Sequence, residues 1–319
     1  MPEKPEVQAF ADSLNNYLKG EYLTEINLNS KSKYYKTKPE NYTELLNLLP
    51  LKIRKIWSKG KKIIFNLSKD FYLLSSLGLE GKWTKEKGNN SGLVLKTESK
   101  KVYFDDSRRG GHFEIFKSKD ALNERLAEIG PDLLNDEISE ENWLKVCQSK
   151  KLAHKEVCWF LLEQKYFSGV GNYIRAEALY KAKIRPNALM GELEEEDLCN
   201  LLYYVIRVIR KSYESRGASL RSYSDFGGVR GEFTVYIYGN KKCPKDHPII
   251  ESTFSDGRTT HWCPKIQTIP SKWEGPEEMD LKKVKTGKYT VPELKEFCRQ
   301  NKVAMTGNKP DLIKRLLEL

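Results

Sequence analysis

The sequence lacks any long hydrophobic run, and no stretch approaches the ~18 apolar residues that a membrane-spanning helix needs. Its first residues, MPEKPEVQAFADSL, lack the positively charged start and apolar core of a secretory leader. The six cysteines are spread over 319 residues, which excludes the dense disulfide framework of a small secreted domain. We therefore expect an intracellular protein, nuclear or cytoplasmic, that is neither secreted nor membrane-bound.

Positive charge is abundant. The 55 lysines and arginines exceed the 44 acidic residues, which gives a formal net charge of +11 at pH 7. Such a balance concentrates polyanions such as nucleic acids at the protein surface. Charge alone does not identify the partner, and a ribosomal or RNA-structure binder is equally compatible with it.

The pattern of apolar residues changes along the chain, and the length suits two or three compact units. Short runs such as YLTEINL, LKIRKIW and KKIIFNL have the length and composition of strands, and they follow a helix predicted over residues 5–19. After Lys117 the spacing becomes helical, with Ser139 as one capping signal. GEFTVYIYGN and the segment after it resemble a β-hairpin unit whose turn is Asp256-Gly257.

These changes predict five parts. They are a sheet domain with a leading helix over residues 1–117, a helical domain over 118–230, a hairpin finger over 231–268, a linker over 269–287 and a small helical module over 288–319.

The second residue offers unusual chemistry. Once Met1 is removed, Pro2 carries a secondary amine, which is less basic than a lysine side chain and can attack a sugar C1′ to form an iminium ion. The adjacent Glu3 can transfer protons. Many proteins begin with Met-Pro-Glu by chance, so these residues alone do not establish a nucleophile.

Seven segments in order give these residues a context: MPEKPEV, SKGKKIIF, LGLEGKW, DDSRRGGHF, LLEQKYFSGVGNYIRAEALYKAKIRP, RGASLRSY and DGRTTHWCPKIQ. Together they resemble the formamidopyrimidine-DNA glycosylase and endonuclease VIII family, over residues 1 to about 268 and most specifically from Gly169 to Glu177. The resemblance implies an α+β multidomain enzyme. A β-sandwich with a leading helix would join a helical domain that holds a helix-two-turn-helix and a β-hairpin finger, with DNA in the cleft between them.

The resemblance also assigns catalytic roles. Pro2 matches the nucleophile, Glu3 the proton-transfer carboxylate, and Lys61 a lysine that engages DNA phosphate and supports catalysis. Gly171 and Asn172 match the turn at which a helix start contacts a phosphate, and small residues with free amides suit an anion there. Without the resemblance, Lys61 would be assigned to a solvated basic run.

Four further residues match DNA contacts in the family. Arg258 and Tyr238 match groups that reach the phosphates beside a flipped nucleotide, whereas Leu79 and Arg108 match the wedge that fills the vacated space. On composition alone, Arg258 would be a solvated turn residue, Tyr238 a strand aromatic and Leu79 a core residue.

The sequence departs from the family in the finger. Relatives with zinc place four cysteines as two CxxC pairs, but here the pairs read Cys243-Pro-Lys-Asp246 and Cys263-Pro-Lys-Ile266. His247 and His261 are the other candidate ligands, although His261 lies close to Cys263 on a strand. We therefore predict a finger without zinc and a catalytic mechanism without a cofactor.

Two departures lie near the predicted active site. Gly110 stands where many relatives carry a phenylalanine wedge, and Lys4 replaces the usual glycine of the N-terminal motif. Neither removes a catalytic group. The first makes the wedge depend more on Leu79, and the second adds charge beside Glu3.

The last 32 residues resemble a SAP motif, a helix-extended-helix module that binds DNA. The positions that match its apolar and glycine pattern are Leu294, Val303, Gly307, Leu312 and Leu316, and the lysines that could contact phosphate are Lys302, Lys309 and Lys314. A tethered second DNA site raises the local concentration of substrate. The alternative is a solvated helical pair that caps the fold.

We therefore expect a monomeric enzyme of base excision repair that acts on damaged double-stranded DNA. It would remove oxidised bases through a Schiff base at Pro2 and cleave the strand by β,δ-elimination. A non-catalytic damaged-DNA binder on the same fold is the alternative. The lesion preference stays open, because the loop over residues 217–231 offers no decisive side chain. The missing zinc ligands favour endonuclease VIII-like substrates, namely oxidised pyrimidines and ring-opened purines.

Overall fold

The computed structural model describes residues 2–219, 224–270, 281–287, 289, 294, 297–298, 303–304 and 308–318. The chain divides into two compact units, Met1–Gln267 and Thr268–Leu319. Within the described residues, no helix combines the length and apolar character required to cross a membrane.

The first unit begins with helix α1 (Lys4–Leu18), which starts one residue before the predicted position. Val7, Phe10, Ala11 and Leu14 are fully buried at the spacing of one helical face, so burial of this face stabilises the helix on the sheet. The remaining elements of this part are β1 (Tyr22–Leu28), α2 (Tyr42–Asn47), β2 (Leu51–Lys59), β3 (Lys62–Leu67), β4 (Tyr72–Ser76), β5 (Lys82–Thr84), β6 (Ser91–Thr97), β7 (Lys101–Asp105) and β8 (His112–Phe116).

The eight strands form one antiparallel sheet in the order β5-β7-β6-β1-β2-β3-β4-β8. A short ladder between β1 and β2 pairs Leu23 with Leu51 and joins the two halves of the sheet. Side chains from the two halves meet in a common core, where the rings of Phe65 and Trp83 lie 5.5 Å apart. The sheet therefore bends over its own apolar face into the predicted sandwich.

The helical part comprises α3 (Lys119–Ala127), α4 (Glu140–Cys147), α5 (Val157–Leu162), α6 (Asn172–Ala182) and α7 (Glu195–Glu214). The capping role predicted for Ser139 is confirmed, since its Oγ accepts a hydrogen bond of 3.2 Å from the amide of Asn142. Helix α6 is buried on almost every side, although it contains Arg175 and Glu177.

The finger region differs from its prediction. Strands β9 (Ile250–Thr253) and β10 (Thr259–Trp262) form the expected hairpin, and Gly257 occupies its turn with φ +70°. The segment GEFTVYIYGN, however, contains no strand. Its aromatic and β-branched residues are typical of strands, but the backbone amides of 236–238 bind the carboxylate of Glu177 instead of a neighbouring strand.

In the second unit the structure describes α8 (Leu281–Lys285) and α9 (Lys309–Leu317). Helix α9 begins at a capping box in which the side chains of Asn308 and Asp311 each accept the other's amide. Of the SAP-like positions, Leu294, Leu312 and Leu316 are buried in a small core against which Val303 packs. Gly307 and Lys302 lie outside the described residues.

Candidate active site

The start of helix α1 places the first residues of the chain at a junction between helices. Glu3 is the N-cap residue, and its backbone amide donates a hydrogen bond of 2.8 Å to Oε2 of Glu6. Pro5 lies in the first turn, where a missing amide costs nothing. This local structure holds Pro2 and Glu3 at the beginning of a rigid element.

The Glu3 carboxylate lies against the start of helix α6. Its Oε1 accepts a hydrogen bond of 2.9 Å from the amide of Tyr173, and its Oε2 accepts one of 3.3 Å from the amide of Ile174. These are unpaired amides of a helix N-terminus, which favour negative charge. A Cβ on Gly171 would lie 2.2 Å from the Glu3 carboxyl carbon, so only glycine permits this approach.

Glu6 completes a buried network around the same junction. Its Oε1 accepts hydrogen bonds from the hydroxyl of Tyr173 at 2.9 Å and from the amide of Ala218 at 2.8 Å. Tyr173 also lies 2.9 Å from the hydroxyl of Ser212 on α7. The network holds α1 to α6 and thereby fixes the position of Glu3. The sequence analysis did not predict this network, although a Glu-x-x-Glu spacing at a helix start was a signal for it.

Lys61 is held beside this carboxylate by the β2–β3 turn. Gly60 has φ +52°, a conformation that glycine adopts readily, and its amide binds Oδ2 of Asp132 at 2.8 Å. Burial lowers the pKa of Lys61 to about 8, against the opposing effect of Glu3. Burial also raises the pKa of Glu3 to about 7, and the positive charge of Lys61 opposes that rise. Both pKa values thus lie near neutral pH, the range in which a proton-transfer group acts most effectively.

Lys4 lies inside the protein rather than on its surface. The Lys4 Nζ contacts Oδ2 of Asp132 at 2.6 Å, Oγ of Ser58 at 2.7 Å and Oε1 of Gln8 at 3.0 Å, and both charged side chains are almost fully buried. Its backbone amide also donates to the carbonyl of Gly169 at 3.1 Å. The departure at position 4 therefore adds an ion pair between α1 and the segment after α3.

The predicted finger residues approach the same region through α6. Arg175 is fully buried and pairs with the side chain of Asp256, whose other oxygen accepts the amide of Arg258 at 3.0 Å. Burial lowers the pKa of Lys61, and the positive charge of Arg258 lowers it further. Burial raises the pKa of Tyr238, and the negative charge of Glu3 raises it further. These side chains therefore share one electrostatic environment. Arg258 itself is exposed at the hairpin turn.

Tyr238 is positioned by Glu177. One carboxylate oxygen, Oε1, accepts the amides of Tyr236, Ile237 and Tyr238 at 3.0, 2.7 and 3.0 Å. The two buried charged residues of α6, Arg175 and Glu177, thus each contact a different part of the finger. Sequence reasoning missed Arg175 and Glu177, and their only signal was a charge within an otherwise apolar helix.

The predicted wedge residues come from two neighbouring loops. Leu79 is 49% exposed, which is high for a leucine and excludes the core role. Arg108 pairs with Glu80 at 2.9 Å. The loops pack closely, since a Cβ on Gly78 would lie 2.7 Å from the backbone of Gly110. Leu79 and Arg108 therefore lie on loops that are in contact, and Leu79 leaves apolar surface exposed there.

Asn172 is the first residue of α6 and is half-buried. Its Oδ1 is buried and lacks a hydrogen-bond partner among the described residues. Because Oδ1 is an acceptor, only a donor group can supply the bond that it lacks; an anion at this helix start would instead be bound by free backbone amides or by the Asn172 Nδ2 group.

Comparisons with known proteins agree with this geometry. The model of the formamidopyrimidine-DNA glycosylase N-terminal domain matches residues 1–113, that of the glycosylase's H2TH domain matches 129–224, and that of the SAP domain matches 287–319. The formamidopyrimidine-DNA glycosylase of Shouchella clausii is 30% identical over 286 residues, which cover 85% of this chain and 100% of that protein. This chain belongs to the formamidopyrimidine-DNA glycosylase family.

Further glycosylases of the family extend the match. The formamidopyrimidine-DNA glycosylase of Desulfitobacterium hafniense is 27% identical over 278 residues, covering 84% of this chain and 100% of that protein. The MutM (Fpg) crystal structure from Thermus thermophilus aligns with a TM-score of 0.75 at 26% identity, over 83% of this chain and 98% of that one. The Lactococcus lactis enzyme in complex with abasic-site DNA aligns with a TM-score of 0.71 at 27% identity, over 83% and 99%.

Against the glycosylase family pattern, the finger cysteines form an incomplete set. Cys243, His247 and Cys263 have ligand atoms within 4.8 Å of one another. His261 lies apart from them in its contacts, since its Nε2 is 3.4 Å from Oε1 of Glu251 and its ring packs on Tyr238. Three of the four candidate ligands are thus brought together.

Proposed function

We propose that this glycosylase-family protein removes damaged bases from double-stranded DNA and cleaves the resulting abasic strand, with Pro2 as nucleophile. The observation that carries the proposal is the Glu3 carboxylate beside Pro2, which is held by two amides at the start of α6 and has a pKa raised to about 7 by burial. Similar solved structures contain DNA with Fapy-dG or with an abasic site, which supports this substrate class. Such a substrate implies an intracellular location, in the nucleus or the cytoplasm.

The proposed chemistry uses groups of this chain and no cofactor. The neutral amine of Pro2 attacks the sugar C1′, the C1′–base bond breaks with its electrons leaving on the base, and protons pass through Glu3. The C1′–O4′ bond then breaks, its electrons and a proton go to O4′, and the nitrogen lone pair forms the iminium ion. This ion acidifies C2′, which permits β-elimination of the 3′-phosphate and then δ-elimination of the 5′-phosphate. Lys61, in its protonated form, stabilises negative charge beside Glu3.

The same proposal assigns the remaining residues to DNA. Parts 1–117 and 118–230 hold the duplex between them, and Asn172 and the amide of Gly171 contact phosphate at the start of α6. Arg258 and Tyr238 bind phosphates next to the flipped nucleotide. Leu79 and Arg108 enter the space that it leaves.

The SAP-like module supplies a second DNA contact. Lys309 and Lys314 lie on α9, and tethering even a weak site raises the local concentration of the duplex. The finger over 231–268 and the linker over 269–287 connect this module to the catalytic part.

Borohydride trapping on duplex DNA with a single abasic site tests the proposed nucleophile. We expect a covalent adduct that maps to Pro2, because reduction converts the iminium ion into a stable amine. The matched control carries one additional residue before Pro2, so that its nitrogen lies in an amide bond and cannot attack. Duplexes with oxidised pyrimidines and ring-opened purines then establish the lesion class.

A processed protein that binds the abasic duplex but gives no adduct would contradict catalysis. That result would support the alternative, a non-catalytic damaged-DNA binder. An adduct on a lysine side chain would support lyase activity but would show that Pro2 is not the nucleophile.

The pH dependence of adduct formation tests the coupling of Glu3 with Lys61. The pair should titrate with apparent pKa values near 7 and 8. Because the charge of Lys61 lowers the pKa of Glu3, Lys61→Met should move the lower apparent pKa to higher pH. Glu6→Gln should move it to lower pH, because a nearby negative charge is removed. Shifts in the same direction for both variants would contradict the assignment.

A further inference from the structure

The finger contains a compact cluster of two thiols and an imidazole. The Cys243 Sγ lies 3.7 Å from the Sγ of Cys263 and 3.8 Å from Nδ1 of His247. Both cysteines are buried, and His247 is partly exposed. The three side chains come from positions that are four and twenty residues apart, so the fold rather than the local sequence assembles them.

These distances fit a tetrahedral zinc ion. Zinc lies about 2.3 Å from sulfur and about 2.0–2.1 Å from imidazole nitrogen, so two sulfur ligands are separated by about 3.8 Å and sulfur and nitrogen by about 3.6 Å. The observed separations agree with both values to within a few tenths of an ångström. Two thiols and an imidazole are donors that zinc prefers.

The backbone around both cysteines is also suited to a metal site. The amides of Lys245 and His247 hydrogen-bond to the sulfur of Cys243, and that of Lys265 hydrogen-bonds to the sulfur of Cys263. Amide donors to a ligating sulfur stabilise negative charge on it and fix its direction. These donors fix the direction of each sulfur atom, although the second cysteine of each family pair is missing.

Among the residues that the structure describes, only three side chains of the usual ligand types come together in this cluster. Ile266 occupies the position of the last family cysteine and packs, with Tyr180, against the same buried group. The prediction of a finger without zinc considered a mixed site with His247 and His261 and judged it unfavourable because His261 lies close to Cys263. In the structure His247 approaches both cysteines without His261.

We propose that Cys243, His247 and Cys263 bind one zinc ion in the finger, with its fourth coordination position left to water. This donor set differs from the four-cysteine site of relatives. It joins the segment before β9 to the segment after β10, next to Ala176 of α6. The ion therefore stabilises the base of the hairpin whose turn carries Arg258.

Metal analysis of the full-length, tag-free protein purified under reducing conditions tests the proposal. We expect one zinc per chain, released by a strong chelator. Reconstitution with Co²⁺ should give thiolate-to-cobalt absorption, which reports sulfur ligands independently of activity. Cys243→Ser, Cys263→Ser and His247→Ala should reduce zinc to background. Cys199→Ser and His261→Ala, the matched controls, should retain it.

A gain-of-ligand variant keeps the proposal testable if the loss variants fold poorly. Ile266→Cys supplies a fourth sulfur at the family position and should raise the chelator concentration needed to remove the ion. Native protein without zinc, after expression with added zinc, would overturn the proposal. Zinc retained by Cys243→Ser, or a disulfide between Cys243 and Cys263 in place of metal, would also overturn it.

Discussion

Replacing Glu3 by glutamine is expected to lower the single-turnover rate of base release by about 10²–10⁴-fold, the usual contribution of a positioned proton-transfer group. Glutamine has nearly the same shape and retains an oxygen for the amide of Tyr173, but it cannot exchange a proton. Binding to an uncleavable abasic analogue should change little, because Glu3 is buried at the helix junction and is not among the proposed phosphate contacts. Quenched-flow measurement of base release at saturating enzyme isolates this chemical step.

Glu6→Gln is the matched control for this variant. Glu6 is equally buried on the same helix and belongs to the same network, but the proposed mechanism gives it no proton to transfer. We expect it to affect the melting temperature at least as much as Glu3→Gln and the chemical step far less. Equal rate losses in the two variants would mean that disruption of the junction, rather than lost proton transfer, slows the reaction.

Asp132→Asn should produce the largest loss of stability, about 3–5 kcal/mol, because it leaves the buried ammonium of Lys4 without its partner. Asp132 also accepts the amides of Gly60, Leu134 and Asn135, which an asparagine satisfies only in part. Equilibrium unfolding in urea, monitored by tryptophan fluorescence, measures the difference.

The converse variant, Lys4→Met, should cost clearly less. It removes the buried charge while Asp132 keeps its three amide donors. The double variant Lys4→Met/Asp132→Asn should therefore be more stable than Asp132→Asn alone. If adding Lys4→Met restores nothing, the unpaired ammonium is not the cause of the instability.

Much of the fold could be predicted because its signals are local. The apolar face of α1, the alternation in β1 and β2, the cap at Ser139 and the glycine of the Asp256-Gly257 turn each reflect interactions within a few residues. Pro2 and Glu3 could also be named as candidates from the sequence, because their chemistry depends on their position directly after Met1. The resemblance to the family showed which of its site positions Lys61, Asn172 and the remaining predicted DNA contacts occupy.

The rest depends on contacts between distant segments. The burial of Lys4 follows from Asp132, more than a hundred residues away, and a lysine at that position predicts exposure. GEFTVYIYGN has the composition of a strand, but the oxygen of Glu177 binds the amides that a neighbouring strand would have paired. Cys243, His247 and Cys263 were named as candidate ligands from the sequence, but only the folded finger shows that these three come together without His261.

Helix α6 makes three contacts with distant segments of the chain. Its first amides hold Glu3, Arg175 holds the turn of Arg258, and Glu177 holds the segment of Tyr238. A shift of the helix would displace all three together, and a misplacement of about 1 Å can cost a hundredfold in rate. We therefore expect a duplex that displaces the finger also to displace Glu3, so that DNA which fits poorly would lower the turnover rate as well as the affinity.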